Sequence, residues 1–67
     1  MKIRYFVFTV RVNNKMQTHY VGMTGGKYIS IEDMAERIFG DRSERDFAVL
    51  FLTELSERDF KDLVGEN

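Results

Sequence analysis

The sequence predicts a small α+β protein with elements in the order β-β-α-β-α. Three features indicate this class: an aromatic, β-branched segment split by two asparagines, two helix starts at serines, and a short apolar run between them. We expect a two-layer sandwich, in which a three-stranded antiparallel sheet of order 2-1-3 carries both helices on one face. Residues 1–67 are expected to form a single domain.

The first two strands are predicted as a hairpin. Residues 2–12 are rich in β-branched and aromatic side chains, which favour extended backbone, and residues 15–23 form the returning strand. Asn13-Asn14 supplies two residues that tolerate positive φ, as a two-residue hairpin turn requires. This turn places Val12 opposite Lys15, so the pairing register of the two strands follows.

The register divides the hairpin side chains between two faces. The face expected to form the core holds Phe6, Phe8, Val10, Val12, His19, Val21 and Met23. The second face holds Ile3, Tyr5, Val7, Thr9, Arg11, Met16, Thr18 and Tyr20. Both faces are partly apolar, and such a patch on a small protein usually marks an interface. The alternative is that a second chain or the last helix covers the second face.

The first helix is predicted to follow the Gly25-Gly26 turn. Ser30 is a good N-cap, and Asp33 completes a capping box. Apolar residues then recur at helical spacing on one face until Gly40, a typical residue just past a helix end: Ile31, Met34, Ala35, Ile38 and Phe39.

The second helix is predicted from the same signals. Ser56 is its N-cap, with Asp59 three residues later, and Gly65 ends it. Leu55 and Phe60 stand at the two positions of a hydrophobic staple.

The apolar run of residues 47–53 separates the two helices. Its length and continuity predict a buried central strand, although its alanine and leucines also allow a helix.

Motifs for catalysis and cofactor binding are missing from the sequence. Gly22 and Gly26 are one residue too close for a phosphate-binding loop, and Tyr28 stands where that loop needs Ser or Thr. His19 is the only histidine, and cysteine does not occur. We therefore expect a protein that is not an enzyme, with no cofactor, no metal and no small-molecule substrate. Because no apolar run approaches about 20 residues, we also expect a soluble, cytoplasmic protein without membrane contact.

Charge divides sharply between the two halves of the chain. Residues 1–28 contain five bases and no acid, whereas residues 29–67 contain eleven acids and five bases. Such asymmetry suggests a polyanion or an acidic protein as partner. Lysines that protect sheet edges and acids that suit helix starts give an equally simple explanation.

The preferred hypothesis is a non-enzymatic protein-interaction module. It would bind a partner protein or a second copy of itself through the hairpin, using Tyr5, Val7, Arg11, Met16 and Tyr20. The alternative partner is nucleic acid, with phosphates bound by Lys2, Arg4, Arg11, Lys15 and Lys27. In that case Tyr5 and Tyr20 would stack on bases.

Overall fold

The computed structural model describes residues 2–65. The elements are β1 (Ile3–Val12), β2 (Lys15–Thr24), α1 (Ile31–Phe39), β3 (Ala48–Leu55) and α2 (Glu57–Val64). The strands form one sheet of order β2-β1-β3, and β1 runs antiparallel to both of its neighbours. The α+β class, the element order and the sheet order are thus confirmed.

The hairpin has the predicted turn and the predicted register. Asn13 and Asn14 have φ of 51° and 64°, in the left-handed region that asparagine tolerates better than most residues. Val12 lies opposite Lys15, and pairing continues in register along the whole of β2. Side chains therefore fall on the two faces that the sequence assigns.

The hydrophobic core lies between one sheet face and α1. Phe6, Phe8 and Val10 are fully buried, and Ile29 and Met34 pack on them from the α1 side. We call this side of the sheet the core face. Three large apolar side chains at alternate positions of the central strand thus form the centre of the core.

The first helix is fixed by its capping box. The Ser30 hydroxyl accepts a hydrogen bond from the Asp33 N–H, and the Asp33 carboxylate accepts one from the Ser30 N–H. At the other end, Gly40 takes φ of 76° and its N–H donates to the Glu36 carbonyl at 2.8 Å. Both ends of the helix therefore lie where the sequence predicts.

Residues 48–55 form a strand, so the helical alternative for the apolar run is wrong. The expectation of a buried central strand is also wrong, because β3 is an edge strand with a bulge between the residues that pair with Thr9 and Val10. Three consecutive apolar side chains are exposed, at 37% for Val49, 47% for Leu50 and 54% for Phe51. The run is apolar enough for a central position, but the described chain supplies no fourth strand.

The second helix lies against the other face of the sheet, which corrects the expectation that both helices share one face. The Phe60 ring packs on Tyr5, and Tyr5 alternates with the buried Phe6 along β1. Leu55 pairs with Tyr5 and so shares its face. Because Phe60 and Leu55 both lie beside Tyr5, the helix that starts at Glu57 folds onto that second face.

The two serine caps provide a matched test of this architecture. We expect Ser30→Ala to lower the free energy of unfolding by about 1–2 kcal/mol, because the cap is reciprocal and α1 closes the core. Ser56→Ala removes one hydrogen bond from a helix with no buried residue, so we expect a loss of about 0.5 kcal/mol. Urea unfolding followed by circular dichroism measures both losses. Equal losses would contradict the dominant role of α1.

Candidate functional site

The second face of the sheet is divided by α2 into a covered half and an open half. In the covered half, the Phe60 and Tyr5 ring centroids are 4.6 Å apart. The Tyr5 ring also extends over Gly22, its partner on β2, where an added Cβ would lie 3.4 Å from the ring. Val7 is only 8% exposed. The covered half is thus part of the folded interior rather than free surface.

The open half lies towards the Asn13-Asn14 turn. We call it the open patch, and it consists of Thr9, Arg11, Met16, Thr18 and Phe51. Phe51 is 54% exposed and Met16 is 69% exposed. The Thr9 and Thr18 hydroxyls lie 3.0 Å apart and bond to each other. The patch therefore presents two large apolar side chains around a polar pair that is already satisfied.

The five residues predicted to bind a partner share one face but do not form one free surface. Arg11 and Met16 are exposed within the open patch. Tyr20 is half-buried and lies opposite Val7, at the border between the two halves. Tyr5 and Val7 belong to the covered half. The structure thus brings two of the five together in the open patch.

Phe51 is the member of the open patch that sequence reasoning missed. It lies in the apolar run whose side chains were all expected to be buried. Its exposure follows from the sheet order, because the third strand of a 2-1-3 sheet is an edge. The predicted order was therefore the signal that could have identified it.

The five basic residues of residues 1–28 lie in two groups at opposite ends of β1. Lys2, Arg4 and Lys27 lie at the end where β1 starts, since the Gly26 N–H donates to the Lys2 carbonyl at 3.2 Å. Arg11 and Lys15 flank the turn, and at roughly 3.3 Å per residue Arg11 lies about 23 Å from Arg4 and about 30 Å from Lys2. They therefore do not form one continuous basic surface.

Arg4 is already paired within the fold. Its guanidinium donates two hydrogen bonds to the Glu54 carboxylate, at 2.9 and 2.7 Å, and lies 5.3 Å from the centre of the Tyr28 ring. The hydrogen bond from Arg4 lowers the pKa of Glu54. In contrast, no carboxylate of residues 2–65 forms an ion pair with Arg11 or Lys15. The charges near the turn thus remain available to a partner.

The acids of α1 are engaged with the connector that follows the helix. Arg42 bridges Asp33 at 2.9 Å and Glu36 at 2.7 Å, and Arg45 pairs with Glu32 at 2.6 Å. Arg37, four residues after Asp33, instead donates to the Tyr20 carbonyl at 3.2 Å. The connector is thereby tied to the helix, and α1 is tied to the outer edge of β2.

His19 is a half-buried structural side chain on the core face. Its ring stacks on Phe8 with centroids 5.2 Å apart, and its Nε2 lies 2.9 Å from the Gln17 Oε1. Burial lowers the pKa of His19, and the nearby Arg37 charge lowers it further. The ring is therefore held in its neutral form.

The Gly25-Gly26 segment forms a turn, as the sequence predicts. Both glycines have positive φ, 78° and 70°. The Arg4 guanidinium also reaches the Gly26 carbonyl, at 3.4 Å. The turn is thus tied to the start of β1.

Comparison with models of known protein families, with curated proteins and with solved structures gave no match to this chain. Among residues 2–65, the histidine and the carboxylates do not gather into a group of three that could hold a metal ion. In the same part of the chain, neither helix has the length and hydrophobicity to cross a membrane.

The contact between Tyr5 and Phe60 is expected to hold α2 in place. A double-mutant cycle with Tyr5→Ala and Phe60→Ala should give a coupling energy of about 0.5–1.5 kcal/mol, as aromatic pairs do. Amide hydrogen exchange should show lost protection in α2, while the sheet retains its protection. A coupling energy near zero would mean that the second face does not depend on this contact.

The lowered pKa of His19 makes stability depend on pH. The unfolded chain binds a proton near the ordinary pKa of 6.5, whereas the folded chain resists it. Stability is therefore fully present above about pH 6.5 and falls as the pH is lowered below that value towards the lower pKa of the folded state. Thermal unfolding should show this loss, and His19→Gln should remove it. Carboxylates such as Glu54 titrate below about pH 4.5, so their effect lies in a separate window in both proteins.

Proposed function

We propose that this chain is a small, non-enzymatic protein-interaction module that binds a partner protein through the open patch. One observation carries the proposal: Phe51 and Met16 are each more than half exposed on the same regular sheet face. Large apolar side chains that cluster on the surface of a small protein usually mark a contact with another molecule. Aromatic residues, methionine and arginine are also the types that protein interfaces favour.

The charges around the patch indicate the chemistry of the partner. Arg11 lies within the patch and Lys15 lies next to it on β2, and neither forms an ion pair with a carboxylate of residues 2–65. A partner with an apolar centre and an acidic edge would complement this arrangement. Such complementarity speeds association and excludes wrong partners more than it adds affinity.

The small size of the open patch implies that the partner also contacts residues around the patch. The patch crosses three strands and two rows of residues, about 10 Å by 7 Å between Cα atoms. A stable interface buries about 800 Å² on each partner, well beyond this footprint. We therefore expect the open patch to be the centre of a larger contact that extends over neighbouring exposed residues of the sheet.

The geometry supports the nucleic-acid alternative less well. Base stacking needs free aromatic faces, but the Tyr5 ring packs on Phe60. Phosphate binding needs free bases, but Arg4 is paired with Glu54 and the remaining bases lie at two ends of the sheet. Five phosphate contacts on a single strand would give a salt slope of roughly −3.5, whereas the two bases near the turn would give about −1.4.

The proposal is tested with a pair of matched double variants. Arg11→Glu with Met16→Ser changes the open patch. Lys27→Glu with Ile31→Ser is the control, because it also reverses one positive charge and replaces one exposed apolar side chain by serine, away from the patch. Crosslinking in cells followed by mass spectrometry identifies proteins captured by the wild type and by each variant. A captured protein is then purified, and its affinity is measured by calorimetry.

We expect the open-patch variant to bind at least about 10-fold more weakly, since truncation at an interface centre costs more than about 1–2 kcal/mol. The control variant should bind like the wild type. Equal binding by both variants would refute the role of the open patch. Salt-sensitive binding of short oligonucleotides to the hairpin would favour the alternative instead.

A further inference from the structure

The two edges of the sheet differ in how they are protected. At the β2 edge, Lys15 contributes a charge and the Arg37 guanidinium donates to the outward-facing Tyr20 carbonyl. Charges and covering groups of this kind keep an edge strand from pairing with other chains. The β3 edge is less protected, since residues 47–53 contain neither a charge nor a proline and Val49, Leu50 and Phe51 are exposed. The one charge on β3, Glu54, is paired with Arg4 of the same chain.

The pairing pattern identifies the backbone groups that β3 leaves free. Residues that flank a two-residue hairpin turn form a hydrogen-bonded pair, so Val12, Val10, Phe8 and Phe6 bond towards β2. The alternate residues Tyr5, Val7 and Thr9 therefore bond towards β3, where they meet Leu55, Thr53 and Phe51. It follows that Leu52 and Glu54 direct their N–H and C=O groups away from the sheet. The outward Tyr20 carbonyl on β2 agrees with this pattern.

We propose that β3 pairs antiparallel with β3 of a second copy, which joins the two sheets into one sheet of six strands. The two-fold axis lies at Thr53, so that Leu52 exchanges backbone hydrogen bonds with Glu54 of the other copy. Phe51 then lies beside Leu55 of the other copy, and part of its exposed ring is covered. Residues 51–55 thereby gain a paired neighbour on both sides.

Charge and strand geometry select this register over its neighbours. An axis at Glu54 would place two carboxylates directly opposite each other, which is unfavourable. An axis at Leu52 would pair Glu54 with the bulge at Leu50, where the regular ladder is interrupted. With the axis at Thr53, only the regular segment 51–55 is used. The Glu54 carboxylate is also neutralised by Arg4 within its own copy.

The proposed contact between the two β3 strands is small, so the dimer should form only at high protein concentration. A standard interface buries about 800 Å² on each partner, roughly a sixth of the 4657 Å² that this chain exposes. Pairing over five residues covers less than this, so we expect dissociation in the micromolar range. The dimer should therefore be sought at about 100 μM protein. Phe51 belongs both to the open patch and to this contact, but the two tests change different residues. Crosslinking at Thr53 reports on β3 pairing, whereas the Arg11 and Met16 variant leaves β3 unchanged and reports on partner binding.

The lack of cysteine in the chain permits a direct test by crosslinking. Thr53→Cys places two thiols at a non-hydrogen-bonded pair, where the Cα separation of about 4.5 Å fits a disulfide. Thr18→Cys is the matched control, because Thr18 is a more exposed threonine on the same face at the other edge. Each variant is oxidised with a glutathione redox buffer at about 100 μM protein. Dimer formation is followed by non-reducing electrophoresis.

We expect Thr53→Cys to form covalent dimer about 10-fold faster than Thr18→Cys, because pairing raises the effective thiol concentration to the millimolar range. Adding Phe51→Lys should abolish this advantage while circular dichroism shows an intact fold. The unmodified protein should sediment as a dimer at high concentration. Sedimentation as a monomer at all concentrations, or equal crosslinking of the two cysteine variants, would overturn the proposal.

Discussion

The pairing register of β1 with β2 determines the position of nearly every other side chain. A slip of one residue would move Phe6 and Phe8 from the core to the opposite face and bring Tyr5 and Val7 inward. The Asn13-Asn14 turn prevents this slip, because its two adjacent residues with positive φ close a two-residue type I′ loop and thereby fix Val12 opposite Lys15. The core, the packing of α1 and the composition of the open patch all depend on this turn.

Sequence signals were reliable where the relevant interactions are local. The turn asparagines, the Ser30 capping box and the closing Gly40 each act within a few residues, so their positions in the sequence predict their positions in the structure. The register then follows from the turn. The turn and the register thus suffice to place Arg11 and Met16 on the same face of the sheet.

Features that depend on contacts between distant residues were harder to predict. The sequence shows that residues 47–53 are apolar, but their exposure depends on how many strands the sheet has. The position of α2 depends on which face Leu55 occupies when β3 pairs with β1, which periodicity does not reveal. Likewise, the spacing within α1 places Arg37 one turn after Asp33, but Asp33 pairs with Arg42 beyond the helix end. In each case the outcome depends on elements that lie far away in the sequence.

The central position of β1 also constrains the route by which the protein folds. β1 meets β2 through a two-residue turn, but it meets β3 only after a separation of 37 to 50 residues. The hairpin and α1 can therefore form early, whereas attachment of β3 requires closure of a long loop and should be the slower step. Until β3 attaches, the hydrogen-bonding groups of β1 on that side remain open to other strands. The strand at the centre of the finished sheet is thus, for a time during folding, an edge strand itself.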